Sequence, residues 1–484
     1  MRLQWKRIPC PYLQTNVRQV QNQEQTQEVR LPDGLPDVGR VLCAWGQPVL
    51  RTKQWRGDSV SVSGGVTATV LYLPEDGSAP CSVEAWLPFQ MKWNFPQAHR
   101  DGSIHAQCQL RSIDARVLSA RKMMLRASVG VLAEALEPVE AIAYAPDGMP
   151  EGVELLKKTY PAVLPTEAGE KLFYFEDEIQ IPEAKKWLSW QLQPEITEQS
   201  VVGGRGVFRG IGQLHYVYMD DSGNIHSGER ALPFAQFADL DKEYDKEATL
   251  RILPAVSAVE PEQREDGMHI QCGVIAQYTV WDRCVLEVAE DAYSPHCDVE
   301  ITMEPLTLPM ELESRIETIE APFAPALPGG QVLDVTFLPD HPQQFREEGD
   351  VNLELPGTFQ MLYRDESGSL QTAFHSWTGQ FSLPAEENVV VNVSTIGCHL
   401  GSQPGVKLQL QTTARQQIPM ITALTVSEEK KANPHRPTLI LRRMDTDSLW
   451  ELAKDCGSTM EAIRQANALT TDPEQGQMLL IPVS

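Results

Sequence analysis

Residues 60–78 read VSVSGGVTATVLYLPEDGS, residues 206–224 read GVFRGIGQLHYVYMDDSGN, and residues 352–369 read NLELPGTFQMLYRDESGS. Each stretch alternates apolar and polar residues up to a tyrosine (Tyr72, Tyr218, Tyr363), then turns through acidic residues to a glycine (Gly77, Gly223, Gly368). A period of two is the pattern of a half-buried strand. An Asp/Ser/Gly cluster supplies a turn in which glycine takes the positive φ. A second strand follows, SVEAWLPF at 82–89 and HSGERALPF at 226–234, so the first two copies meet an LPF triplet. The same hairpin is therefore predicted three times.

The repetition extends outward from the hairpin. Pro36 and Pro182, Leu42 and Leu188, Gln47-Pro48 and Gln193-Pro194, Gly64 and Gly210, Tyr72 and Tyr218, and Gly77 and Gly223 are all 146 positions apart. Leu333, Pro339, Tyr363 and Gly368 lie 145 positions beyond Leu188, Pro194, Tyr218 and Gly223. A register kept over that span means a duplicated domain rather than a short solenoid repeat. The copies open on LPDVGRVL at Leu35, IPEAKKWL at Ile181 and LPGGQVL at Leu327.

More strand patterns follow each hairpin, such as KMMLRASVGVLAEAL, HIQCGVIAQYTVW and GVKLQLQTTARQQI. The fold class expected is mainly β: three tandem antiparallel domains, sandwich or barrel-like, plus a small C-terminal βααβ module. The boundaries read as a Gln-rich tail over 1–29, repeats over 30–150, 151–304 and 305–426 (the last diverged), a linker over 427–437 and the module over 438–484. Residues 14–29 read as a loose tail or a solvated helix, and a short helix is expected around GVELLKK at 152–158. The Pro-rich run 305–328 leads into the third copy.

Composition narrows the function classes. With a net charge of −25 over 484 residues, the chain lacks the Lys/Arg surplus that phosphate-backbone binding or an anionic membrane surface requires. The acidic balance fits a partner with a basic face. Nine scattered cysteines with no CxxC pair read as free thiols in a reducing compartment, and His296-Cys297 alone does not make a metal site. MRLQWKRIPCPYLQTN has no apolar run of signal-peptide length, no stretch of about 18 apolar residues occurs, and the expected location is cytoplasmic, with NVS at Asn392 unused as a sequon. GGRGVFRGIG at 203–212 does not match a nucleotide-binding glycine pattern and lies inside a repeated strand. No GxSxG, HExxH or HxH signature occurs, so neither enzyme activity, nor cofactor, nor metal is expected.

The end of the chain changes character. TLILRR at 438–443 reads as a short strand. Ser448 and Glu451 fit a capping box that starts a helix running to about Asp455, with Leu449, Leu452 and Ala453 on its apolar face. Gly457 stops it. Ser458 and Glu461 fit a second capping box, with Met460, Ile463 and Ala466 facing inward, and GQMLLIP at 476–482 returns as a strand.

This stretch resembles a LysM domain through Asp447-Ser448-Leu449-Trp450 with Leu452-Ala453, Asn467, Gly476-Gln477 and Leu479-Leu480-Ile481-Pro482. The resemblance implies two paired helices on a two-stranded sheet and, usually, binding of N-acetylglucosamine-containing glycans. Thr446 stands where that family usually has glycine, and the first strand ends on Arg442-Arg443-Met444. The upstream copies, with LPDVGRVL, VLY, an acidic Gly turn and LPF, resemble the SPOCS domain of clostridial spore-coat proteins. Three SPOCS-like units and one LysM domain are together similar to the SipL-like family of spore-coat morphogenetic proteins. That resemblance implies a non-enzymatic adaptor in the mother cell, at the forespore surface, whose LysM domain engages a SpoIVA-like coat-morphogenetic ATPase and other coat proteins. The alternative reading is a peptidoglycan-binding protein of the cell wall or spore cortex. Under either, the candidate contact residues are Asp447, Ser448, Trp450, Asn467, Arg442 and Arg443. Trp450 is expected as an exposed aromatic hot spot, and Asn467 as a loop-closing hydrogen-bonder.

Overall fold

The computed structural model describes residues 5–95, 102–146, 152–320, 330–347, 349–384, 389–399, 405–430, 438–446 and 448–483. The first six strands are β1 (Trp5–Arg30), β2 (Val38–Arg56), β3 (Ser59–Pro74), β4 (Cys81–Asn94), β5 (Ser103–Ser119) and β6 (Lys122–Pro146). They form two antiparallel sheets, ordered β2-β3-β4 and β1-β6-β5. The next six are β7 (Glu154–Gln180), β8 (Ala184–Val202), β9 (Arg205–Asp220), β10 (Ile225–Asp239), β11 (Thr249–Arg264) and β12 (Gly267–Tyr293). They repeat that connectivity as β8-β9-β10 and β7-β12-β11.

The third set is β13 (Cys297–Glu320), β14 (Gln331–Pro339), β15 (Gln343–Glu347), β16 (Asp350–Arg364), β17 (Leu370–Pro384), β18 (Val389–His399) and β19 (Gly405–Lys430). Here β14 and β15 lie end to end along β16, in the place that β2 and β8 take whole. β17 pairs with the other edge of β16, and the second sheet runs β13-β19-β18.

Alternation puts one face of each sheet inside. In the first set Val62, Val66, Leu87 and Phe89 of one sheet meet Leu125, Val129 and Val131 of the other. In the second, Phe208, Leu214 and Phe234 meet Phe173, Ile270 and Val274. In the third, Leu353 and Phe359 meet Val391, Leu408 and Leu410. Each fully buried aliphatic or aromatic side chain contributes roughly 1.5–3 kcal/mol. The tight turns are stapled alike. Asp76 Oδ1 accepts from Ser78 N–H, Asp220 Oδ1 from Ser222 N–H, and Asp365 Oδ1 from Ser367 N–H, at 2.9, 2.9 and 3.0 Å. Gly77, Gly223 and Gly368 follow at φ of 75°, 79° and 86°, a region that penalises a Cβ.

The LPF triplet has a packing reason. Phe89 pairs with Gly64 across the ladder and Phe234 with Gly210. A Cβ at Gly210 would sit 2.3 Å from Glu195 O and 2.4 Å from Phe234 Cζ. In the third set the pair is Leu355 with Gly379. Large and small have changed strands, so a copy without LPF still fills the space.

Equivalent residues of the three sets meet in one shared cluster: Leu42, Leu188 and Leu333 on one row, Leu71, Val217 and Leu362 on another. The hydrogen bonds around it run head to tail. Ser227 Oγ donates to Leu333 O at 2.7 Å, and the equivalent Thr372 Oγ1 donates to Leu42 O at 2.6 Å. The three hairpin sheets thus close a ring about a pseudo-threefold axis, with heterologous contacts of the kind that close rings. Away from the ring, the paired outer strands run on as three arms that share another cluster, with Cys10 and Ala143 from the first, Leu164 and Leu286 from the second, and Leu306 and Ile418 from the third.

Several expectations need correcting. The Gln-rich stretch 14–29 is neither tail nor helix. It lies in β1, paired with β6 from Trp5↔Pro146 to Arg30↔Lys122 with one register shift between Thr15 and Val17. Its polar side chains sit on an edge strand, where Gln21 Nε2 donates to Lys92 O and Gln23 Oε1 accepts from Gln90 N–H. The first six-strand set therefore starts near residue 5, not 30. GVELLKK enters β7, not a helix, because β12 pairs with it down to Glu154. Residues 305–320 belong to β13, so the third set begins at Cys297. Of the linker, 427–430 continue β19, and 431–437 lie outside the described residues, as do 321–328 of the Pro-rich run.

Candidate functional site

The chain closes with β20 (Leu439–Arg443), α1 (Leu449–Cys456), α2 (Met460–Asn467) and β21 (Met478–Pro482), β20 and β21 pairing antiparallel. Ser448 caps α1, its Oγ accepting from Glu451 N–H at 3.3 Å, and Gly457 ends it at φ 63°. The second cap falls one residue later than the sequence suggests. Thr459 Oγ1 accepts from Ala462 N–H at 3.1 Å, while Ser458 is fully buried and its Oγ donates to Pro482 O. Leu449, Leu452, Ala453, Ile463, Leu479 and Ile481 make the core. Ala466 faces solvent rather than inward.

Trp450 is not the exposed aromatic that the sequence suggested. It is 4% exposed, because the module is seated on the tip of β12. Its ring stands edge-on to Tyr293 at 4.8 Å between centroids. Its indole N–H donates to Asp291 Oδ2 at 2.8 Å, and Lys454 Nζ donates to the two oxygens of the same carboxylate at 2.8 and 2.6 Å. Tyr293 OH donates to Ser458 O at 2.8 Å. Partial burial alone would raise the Asp291 pKa, but the hydrogen bonds from Lys454 and Trp450 outweigh it and hold the carboxyl below its ordinary 3.8.

The other candidates are tied into the module. Asn467 Nδ2 donates to Ile463 O and Leu480 O at 2.8 and 2.6 Å, and its Oδ1 accepts from Leu480 N–H at 2.8 Å, clasping α2 to β21 as expected. Arg442 donates to Cys456 Sγ at 3.6 Å and pairs with Asp445 and Asp455 at 3.3 and 3.9 Å. Arg443 Nε donates to Gly476 O at 3.0 Å. Asp447 lies outside the described residues. The structure therefore gathers Ser448 at the cap of α1, Trp450 in its first turn and the two arginines on β20, but turns Trp450 inward.

What the module offers outward is the far face of its sheet. Leu439, Leu441, Met478 and Leu480 are 53%, 63%, 53% and 40% exposed. The register sets Leu441 opposite Leu480 and Arg443 opposite Met478, so the four apolar side chains form one patch beside an arginine. Single exposed leucines are ordinary, whereas a contiguous patch on one sheet face marks an interaction surface. The signal was present in TLILRR and MLLIP: both strands are apolar on both faces, where a one-sided sheet alternates.

Among the described residues no group of three His, Cys, Asp or Glu side chains is placed to hold a metal. The cysteines whose side chains are described are free thiols. No described helix is long and apolar enough to cross a membrane. No known protein family, curated protein or solved structure matches this chain.

Proposed function

We propose that the three strand sets are SPOCS-like domains, that the terminal module is a LysM domain, and that the chain is a non-enzymatic adaptor of spore-coat assembly. It works in the mother cell at the forespore surface, with a SpoIVA-like coat ATPase as the partner of the module. The observation carrying this reading is the apolar outer face of β20 and β21, Leu439, Leu441, Met478 and Leu480 beside Arg443. It suits a protein partner with an apolar face and an acidic rim. Sugar binding is the weaker reading, because glycan rings stack on open aromatic faces and Trp450, the one aromatic residue in 438–484, is engaged with Tyr293.

Deleting 438–484 is expected to abolish capture of the coat ATPase. Leu441→Ser with Leu480→Ser should weaken capture at least tenfold and leave the melting temperature nearly unchanged, since both side chains already face water and no like charges are set opposite each other. Undiminished capture by the double variant would remove the outer face from the proposal. Affinity of the chain for chitin oligomers would favour the glycan reading.

A further inference from the structure

About the pseudo-threefold axis the three sets line a cavity of about 360 Å³. Pro48, Pro194 and Pro339, one from each set, stand at equivalent positions on its wall. Its size lies at the low end of ligand sites, roughly 300–1,000 Å³.

The lining is chemically biased. Seven of its 25 residues are glutamine, although only 36 of the 484 residues in the chain are. Among the described residues no Asp or Glu lines it, although the chain has 66. The one charged residue among the described lining residues, Arg315, is already paired with Glu313 and Glu317 at 3.0 and 2.8 Å. Of the glutamines, Gln47 is spent within the protein, its Oε1 accepting from Leu192 N–H at 2.7 Å and its Nε2 donating to Pro48 O at 3.0 Å. The side-chain amides of Gln191, Gln193 and Gln409 make no hydrogen bond to any described residue. Independently, Thr336 Oγ1 on the wall is buried with no partner among the described residues. A buried polar atom left unsatisfied costs roughly 1–3 kcal/mol, and a ligand group that supplied the bond would recover part of that.

We propose that this axial cavity binds an uncharged, extended peptide segment carrying amide or hydroxyl side chains. The amides of Gln191, Gln193 and Gln409 each offer one acceptor oxygen and two donor hydrogens in a plane, the complement of a peptide N–H and C=O. The prolines give apolar contact between them. A charged segment would lose its hydration against a wall with no free counter-charge. A glycan is disfavoured because Phe337, the one aromatic among the described lining residues, packs against Phe359 and Trp377 at 4.8 and 5.8 Å. This site is separate from the module face, and its test does not depend on the coat ATPase.

The test screens full-length protein against two arrays of end-capped eight-residue peptides. One array is drawn from Ser, Thr, Asn, Gln, Gly and Pro; in the other, Asp or Lys replaces two positions. Chitotetraose serves as the glycan probe. Binding is expected from the uncharged array alone. The strongest sequence should lose at least tenfold in affinity with Gln193→Glu plus Gln409→Glu, and less than threefold with Gln193→Asn. Circular dichroism and melting show that both variants are folded. Absence of binders in the uncharged array, equal binding by the charged array, unchanged affinity in the double Glu variant, or competition by chitotetraose would overturn the proposal.

Discussion

Asp334 is the most consequential single side chain of the ring. It is 3% exposed, and its two oxygens are shared between sets: Oδ1 lies 2.6 Å from His215 Nε2, and Oδ2 accepts from the Trp45 indole N–H at 2.8 Å. Asp334→Ala leaves both partners facing a void and is expected to destabilise the chain by about 3 kcal/mol, read from denaturant unfolding. Burial alone would lower the His215 pKa, but the hydrogen bond and charge of Asp334 outweigh it, with Glu229 adding, and the imidazole ends above its ordinary 6.5. A raised folded value favours the protonated ring. The stability it confers is complete below pH 6.5 and declines as pH rises through the raised value. The stability gap between wild type and His215→Gln should therefore narrow from pH 6 to pH 9 in parallel unfolding titrations. A gap that widens would show the neutral ring to be the stabilising form.

At the scale of elements, the glycine–phenylalanine pairs explain what was legible. Gly64, Gly210 and LPF were visible as repeats, and their cross-strand pairing supplies the reason. The swap to Leu355 and Gly379 is invisible until the register is known, which is why the third copy looked degenerate. Gly210→Ala should cost about 1–3 kcal/mol through overpacking against Glu195 O and Phe234, measured as a lower unfolding midpoint. β1 was missed because its own composition carries little of its stability; the apolar partner β6 does, and single-strand patterning cannot see a partner more than a hundred residues away. Trp450 was misplaced for a similar reason: motif and helical face were readable, but Tyr293 and Asp291 belong to another set. Trp450→Ala should release the module from β12, seen as faster amide exchange around Tyr293 with the hairpin sheets unchanged. Because the Asp291 carboxyl is held below 3.8, its bonds to Trp450 and Lys454 should persist above that pH and fail only as pH falls through the lowered value. Loss of that protection already at pH 5 would contradict the assignment.

For the whole molecule, the ring makes the three sets interdependent. A chain ending at residue 295 would uncover Leu42, Trp45, Leu71, Leu188 and Val217, all under 8% exposed in the full chain. That fragment is expected to self-associate, read by light scattering after size-exclusion chromatography, whereas the full chain should not do so through this surface. A monomeric, fully folded fragment would show that the shared cluster is dispensable. The repeat was readable at this scale from its constant offset, but its closure was not. Offset fixes which residues are equivalent; only packing shows that equivalents touch.

The Asp334 node also acts as an index. At its position the other sets carry Cys43 and Ser189; at the position of His215 they carry Thr69 and Gln360; at that of Trp45, Gln191 and Thr336. Three near-copies on one chain could be seated in the wrong cyclic order with little change in apolar contact. Only one seating places a histidine and a tryptophan against the buried carboxylate. The reverse order would face Asp334 with Thr69 and Gln191, which can donate hydrogen bonds but supply no positive charge, so the divergence at these three positions favours one order of the copies around the ring.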